Sequence, residues 1–208
     1  MKIIQLIIII LLISAGFQKA HGQVEFRHDS DNNKVEIYID DQLFTNFFYP
    51  DDLEKPVLYP IYTASGKEIT RGYPYNPRPF ERTDHPHHVG LWLNFGDVNG
   101  LDFWNNSFAV RPENKYRYGS VKLDEIVSMD QQSGTLIVRS DWVDHDDNTL
   151  ISEETTFIFG ANNGLRTIER TSHLAAVQEV QMKGNKEGLL GLRVDRAFEE
   201  PAGSPQRL

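Results

Sequence analysis

Apolar and polar positions alternate with period two along most of this chain. Val35-Glu36-Ile37-Tyr38-Ile39-Asp40 alternates cleanly, as a strand with one buried face should. Further β-branched or aromatic runs follow at Val57 to Tyr62, Val89 to Phe95, Val121 to Val127 and Leu136 to Val143. Thr155 to Phe159, Leu165 to Leu174 and Leu189 to Val194 continue the series. Turn-forming clusters separate them: Asp31-Asn32-Asn33, Gln132-Ser133-Gly134, Asp146-Asp147-Asn148 and Asn162-Asn163-Gly164. The last contains an Asn-Gly pair between two strand-like runs, and both residues tolerate positive φ, so a tight hairpin is expected there. No helix-period segment longer than two turns appears beyond the N-terminal run. The pattern predicts an all-β fold, an antiparallel β-sandwich.

Two connections interrupt the rhythm. Thr63 to His87 carries Pro74, Pro77, Pro79 and Pro86, and Gly96 to Tyr118 carries Phe103, Trp104 and Phe108. Loops this long in a compact domain are functional or disordered, and their aromatic content argues for order. At the other end, Leu189 to Val194 has the pattern of a strand entering a core. Only fourteen residues follow Val194, without a strand pattern. The sandwich is therefore expected to be incomplete at its C-terminus, with an open edge and marginal stability.

The N-terminus changes the picture of where the protein works. Met1-Lys2 is a basic start, Ile3 to Ile13 is an almost unbroken apolar run, and Ala20-His21-Gly22 fits a small-x-small cleavage site. This is the layout of a secretory signal peptide over residues 1–22. The run is about half the length needed to span a bilayer. Cleavage after Gly22 leaves 186 of the 208 residues, one domain over 23–208 beginning at Gln23, periplasmic or secreted and without a membrane span. There is no cysteine, so an exported fold relies on its core rather than on disulfides. Thiol catalysis and thiolate metal sites are excluded. Removing Lys2 and Lys19 takes the net charge from −9 to −11. That charge opposes nucleic-acid phosphate and suits a carbohydrate or other small-molecule ligand.

Candidate chemistry gathers in Arg82-Thr83-Asp84-His85-Pro86-His87-His88-Val89-Gly90-Leu91-Trp92, which holds three of the seven histidines. Imidazole is the side chain best matched to proton transfer or metal binding near neutral pH. Pro86 disfavours helix at His85, so an extended segment is expected, with His85 and His87 on one side and His88 on the other. Asp84 would orient a histidine or complete a two-histidine site for a divalent metal. Trp92, and Asp102 with Trp104, offer flat apolar faces beside a carboxylate, the pairing on which sugar rings stack; core packing is the competing fate. Glu153 and Glu154 lie on one strand and point to opposite faces, which makes Glu154 a candidate general base. Lys186, Glu187 and Arg193 add charge around an apolar strand. Arg193, flanked by Leu192 and Val194, must pair with an acid or face a polar cleft.

Four segments carry a family resemblance: Arg78-Pro79-Phe80, Thr83 to Trp92, Gly96 to Trp104, and Lys186 to Val194. Together they resemble a bacterial family labelled "methane oxygenase PmoA", a domain of unknown function, and the likeness covers most of Gln23 to Glu200. The resemblance implies a secreted all-β protein found beside sugar-degrading enzymes, with a fold similar to the galactose-mutarotase-like supersandwich. Full members are about a third longer, with a further segment rich in histidine, tryptophan and proline, so this chain resembles a truncated member. The label stands as a name rather than a reaction, because a membrane monooxygenase subunit needs several long apolar spans.

Three functions are consistent with these readings. The first is a carbohydrate-active hydrolase, lyase or epimerase. In it His85 and His87 act on a sugar oxygen, Glu154 takes the complementary proton, and Asp84, His88, Trp92, Asp102, Trp104, Lys186, Glu187 and Arg193 bind substrate. The second is a non-catalytic sugar-binding sandwich. The third is a metal-dependent oxygenase, as the family label says. In each case the three histidines are expected to line a cleft beside Trp92 or Trp104.

Overall fold

The computed structural model describes residues 22–199; the signal-like run ahead of Gly22 lies outside them. Ten strands form two antiparallel sheets. Strands β1 (Val24–Asp29), β2 (Lys34–Ile39), β3 (Gln42–Phe48), β4 (Val57–Ile61), β5 (Leu91–Phe95) and β10 (Gly188–Leu192) make the first, in the spatial order β1-β2-β3-β4-β5-β10. Strands β6 (Ser120–Asp130), β7 (Thr135–Val143), β8 (Thr149–Asn162) and β9 (Leu165–Ala176) make the second as a plain meander. The helical segments among the described residues are short 3₁₀ turns, the longest Pro112–Arg117. The all-β sandwich expected from the alternation is what the chain forms.

The turns behave as their residues dictate. Asn163 (φ 52°) and Gly164 (φ 77°) close the β8–β9 hairpin, with both central residues left-handed as a type I′ turn requires. Asp40 (φ 52°) and Asp41 (φ 60°) do the same between β2 and β3. Without a glycine that turn is less visible in the sequence, although aspartate tolerates this conformation.

Phe26, Ile37, Phe47 and Leu58 from the first sheet meet Leu136, Val138, Phe157 and Phe159 from the second to form the main core. The first sheet is apolar on its outer face as well. There Val57, Tyr59 and Trp92 pack with Leu53, Val89 and Trp104 from the connections. This explains β3 and β4. Both are covered on two sides, and β3 also shifts register beside β4 between Thr45 and Phe47, so neither shows simple alternation. The two long connections, 62–90 and 96–119, are the layer that covers this outer face. They carry the candidate site.

Glu153 and Glu154 point to opposite faces, as strand geometry demands. Glu153 is buried and accepts hydrogen bonds from Arg170 Nη2 (2.8 Å), Trp142 Nε1 (2.8 Å) and Thr155 Oγ1 (2.7 Å). Strand β10 does not enter the core as its composition predicts. Among the described residues it pairs with β5 alone and borders the sheet, so Leu189, Leu190 and Leu192 are exposed there.

Candidate functional site

The histidine segment is a turn, not an extended strand. His88 N–H donates to the His85 carbonyl (3.0 Å), with Pro86 at the second position, where its fixed φ suits a turn. His85 itself is left-handed (φ 46°), a conformation uncommon outside glycine. All three imidazoles therefore gather in one cluster, contrary to the expected alternation. His85 stacks on His88 (5.0 Å, 9° between planes), His88 stacks on Trp92 (5.1 Å, 24°), and His87 packs edge-on to His88 (4.3 Å, 76°).

Arg71 holds this turn in place. Its side chain is 1 % exposed. Nη1 donates to the carbonyls of Arg82 (3.3 Å) and Asp84 (2.9 Å) and to Asp84 Oδ1 (3.0 Å). Nη2 donates to the carbonyls of His85 (2.9 Å) and His88 (3.0 Å). One guanidinium thus supplies donors to carbonyls that the turn cannot satisfy internally, which its planar fork suits. Backbone bonds from Arg71 N–H to the Arg193 carbonyl and from Arg193 N–H to the Gly90 carbonyl tie the loop to the end of β10. Gly90 has φ 56°, and a Cβ there would lie 2.1 Å from the Leu58 carbonyl oxygen. Only glycine fits this passage.

Asp84 and His85 form an oriented pair. Asp84 Oδ2 lies 3.0 Å from His85 Nδ1, while Oδ1 accepts from Arg71 and from Arg193 Nη2 (3.2 Å). Partial burial opposes ionisation of Asp84. The His85 hydrogen bond and the Arg193 and Arg71 charges outweigh it and hold the carboxyl below its ordinary range. A carboxylate on Nδ1 leaves His85 Nε2 as the atom free for proton transfer, and the His85 side chain is half exposed. Arg193 thus has the acidic partners its apolar neighbours required, Asp84 and Glu199.

Deeper in the cluster the imidazoles are neutral. Burial, reinforced by neighbouring positive charge, pushes His87 down to about 3 and His88 to about 4. Trp104 Nε1–H donates to His88 Nε2 (3.2 Å), which places the proton of neutral His88 on Nδ1. Lys55, which the sequence analysis does not single out, is buried beneath this cluster. Its Nζ lies 3.4 Å from the Trp104 carbonyl and 5.7 Å from the Trp92 ring centre. Burial pushes Lys55 down to about 7 against the opposing pull of Asp102 and Glu54.

Position bears on several of the expected roles. Trp92 (2 % exposed) and Trp104 (8 %) are enclosed; they support the histidines from behind and cannot offer a face to a sugar. His87 is also enclosed (8 %), its Nε2 without a partner among the described residues. Glu154 points from the outer face of the second sheet and pairs with Arg139 (3.6 Å), because it faces away from the core that Glu153 enters. Lys186 and Glu187 pair with each other beside Gly96. Arg193 is six residues along, which at strand rise is about 20 Å away. Asp102 caps its own turn, accepting from Asn105 N–H (2.9 Å) and Nδ2 (2.8 Å).

Among the described residues, no three His, Asp or Glu side chains are gathered to hold a metal ion. The donor set explains this: His85 Nδ1 faces Asp84, His88 Nε2 accepts from Trp104, and His87 Nε2 is enclosed. Nor do the histidines line either of two roomy cavities. One, of about 490 Å³, lies against Tyr49, Glu54 and Lys122, and another, of about 530 Å³, against Phe48, Tyr59 and Tyr75. No helix among the described residues is long and apolar enough to cross a membrane.

Fold and site together define an antiparallel sandwich whose outer face carries an arginine-clamped Asp–His turn. The chain belongs to a family of unknown function (DUF6807), whose model matches residues 34–205. No curated protein and no solved structure matches it.

Proposed function

We propose that this is an exported carbohydrate-active enzyme in which His85 transfers a proton at its substrate through Nε2. One observation carries the reading: a half-exposed histidine, held in a left-handed conformation and oriented by a carboxylate that two arginines grip. Strained backbone of this kind persists where the surroundings over-determine it, and such places cluster at functional sites. Asp84 fixes the imidazole orientation and stabilises the protonated form during transfer, a division of labour shared by many acid–base sites. The net charge of −9 favours a neutral ligand over a phosphate polymer. The likeness to secreted proteins found beside sugar-degrading enzymes points to a sugar. The oxygenase name that goes with that likeness is not adopted as a reaction.

Turnover on a panel of glycans, read by product chromatography, tests this. His85→Gln is expected to lower kcat by about 10²–10⁴, the range for loss of a positioned acid or base, with substrate binding retained. A His85→Gln protein as active as the parent would refute the assignment. Export is tested separately. N-terminal sequencing of protein from the periplasm or medium should read Gln23 first, and an intact Met1 in the membrane fraction would contradict it.

A further inference from the structure

The outer face of the first sheet holds a second feature that the Asp–His turn does not use. Asn46 on β3 is 9 % exposed, its side-chain amide makes no hydrogen bond within the described residues, and Oδ1 is fully enclosed without a partner. Buried amides are rarely left so, because an enclosed polar group without a partner has lost its water and gained nothing in return. Asn46 lines an open cleft of about 530 Å³ whose walls are Phe48, Tyr59 and Tyr75, a size typical of small-molecule sites. The rings are fixed by their own contacts. Phe48 meets Tyr75 edge-on at 5.0 Å, Tyr59 donates its hydroxyl to the Gly72 carbonyl (3.0 Å), and Tyr75 donates to Asp52 Oδ1 (2.7 Å).

We propose that this cleft binds a neutral sugar unit, with the Asn46 amide hydrogen-bonding its hydroxyls and the Phe48–Tyr75 pair contacting its apolar face. The charge pattern disfavours an anion: the sole cation lining the cleft, Lys34, is held by Glu36 (2.7 Å) and lies 3.6 Å from Asp29, and Asp31 adds a carboxylate to the lining. The cleft lies on the same face of the first sheet as the Asp–His turn. Phe48, Tyr59 and Tyr75 belong to the same aromatic layer as Trp92 and Trp104, and β3 is two strands from β5, about 10 Å. The ligand class rests on the carbohydrate reading above, and the consequence is that the substrate is an oligosaccharide spanning both places.

The test titrates the full mature chain with cellotetraose, xylotetraose, laminaritetraose and mannotetraose, following Tyr and Phe ring resonances by NMR. At least one should bind, shifting the Tyr75 and Phe48 signals. Asn46→Ala should weaken that binding tenfold or more without lowering the melting temperature, since the amide has no bond in the fold to lose. His85→Gln should leave it intact. Binding of none of the four, binding unchanged in Asn46→Ala, or a marked loss of melting temperature in that variant would each overturn the proposal. The two readings fail differently. Tetrasaccharide binding lost in Asn46→Ala, in a protein with no turnover, keeps the cleft and sinks the acid–base role. Turnover lost in His85→Gln but with unchanged KM in Asn46→Ala keeps the role and sinks the cleft.

Discussion

Replacing Arg71 by methionine is expected to cost the fold about 3–5 kcal/mol and to release the histidine turn. The carbonyls of Asp84, His85 and His88 would lose their donor together. Each polar group left unpaired in a buried setting costs about 1–3 kcal/mol, and breaking a buried charged network by removing one partner costs about 3–5 kcal/mol. Methionine preserves much of the aliphatic stem, so the loss reports on the guanidinium rather than on packing. Urea denaturation measures the stability. NMR of the His85 ring reports whether it still stacks on His88. The internal control is Arg82→Met, which breaks a largely exposed pair with Glu199 and should change stability by less than about 1 kcal/mol. Similar costs for the two substitutions would show that Arg71 does not hold the loop.

The second large effect is an acid-side loss of stability between about pH 6.5 and pH 3. His87 and His88 titrate near 6.5 when unfolded, but at about 3 and about 4 when folded. The unfolded chain therefore binds more protons across this window, and stability must fall as pH falls. The contribution is fully present above pH 6.5 and is lost progressively toward the folded values. For the two rings together the loss by pH 4 is on the order of 5 kcal/mol, comparable with the whole margin of an ordinary domain. Lys55 acts in the same direction at higher pH. Its folded value of about 7 lies below the ordinary 10.5, so its burial penalises the fold increasingly as pH falls from 10.5 to 7. Melting temperature should accordingly climb from pH 4 through pH 9, and His87→Gln should flatten the acid limb. A melting temperature independent of pH between 4 and 7 would contradict the buried, neutral imidazoles.

Much of the architecture was legible in local pattern, for a specific reason. An antiparallel strand with one wet face writes its geometry directly into alternation, so Lys34–Ile39 and Thr135–Val143 could be read residue by residue. Strand β3 could not, because Gln42–Phe48 is covered on both sides and shifts register, which removes the period. The site divides in the same way. Arg193 between two apolar residues announced a need for acidic partners, and it has them in Asp84 and Glu199. Arg71, Lys55 and Asn46 carried no signal, because nothing local distinguishes a charge or amide that will be enclosed from one that stays in water.

What the sequence by itself determined is the all-β class, the hairpin at Asn162-Asn163-Gly164, the opposite facing of Glu153 and Glu154, and the concentration of imidazole in one loop. Each depends on neighbours within a few positions along the chain. Only the tertiary structure decided which of those groups can work together. It enclosed Trp92, Trp104 and His87 beneath the two long connections, turned Glu154 outward, and set Lys186 and Glu187 at the far end of β10. It also brought Arg71 and Arg193, 122 positions apart, onto the same carboxylate. The reason is that burial and partnership arise from residues meeting across the sheet and its covering loops, and those meetings have no counterpart in local spacing.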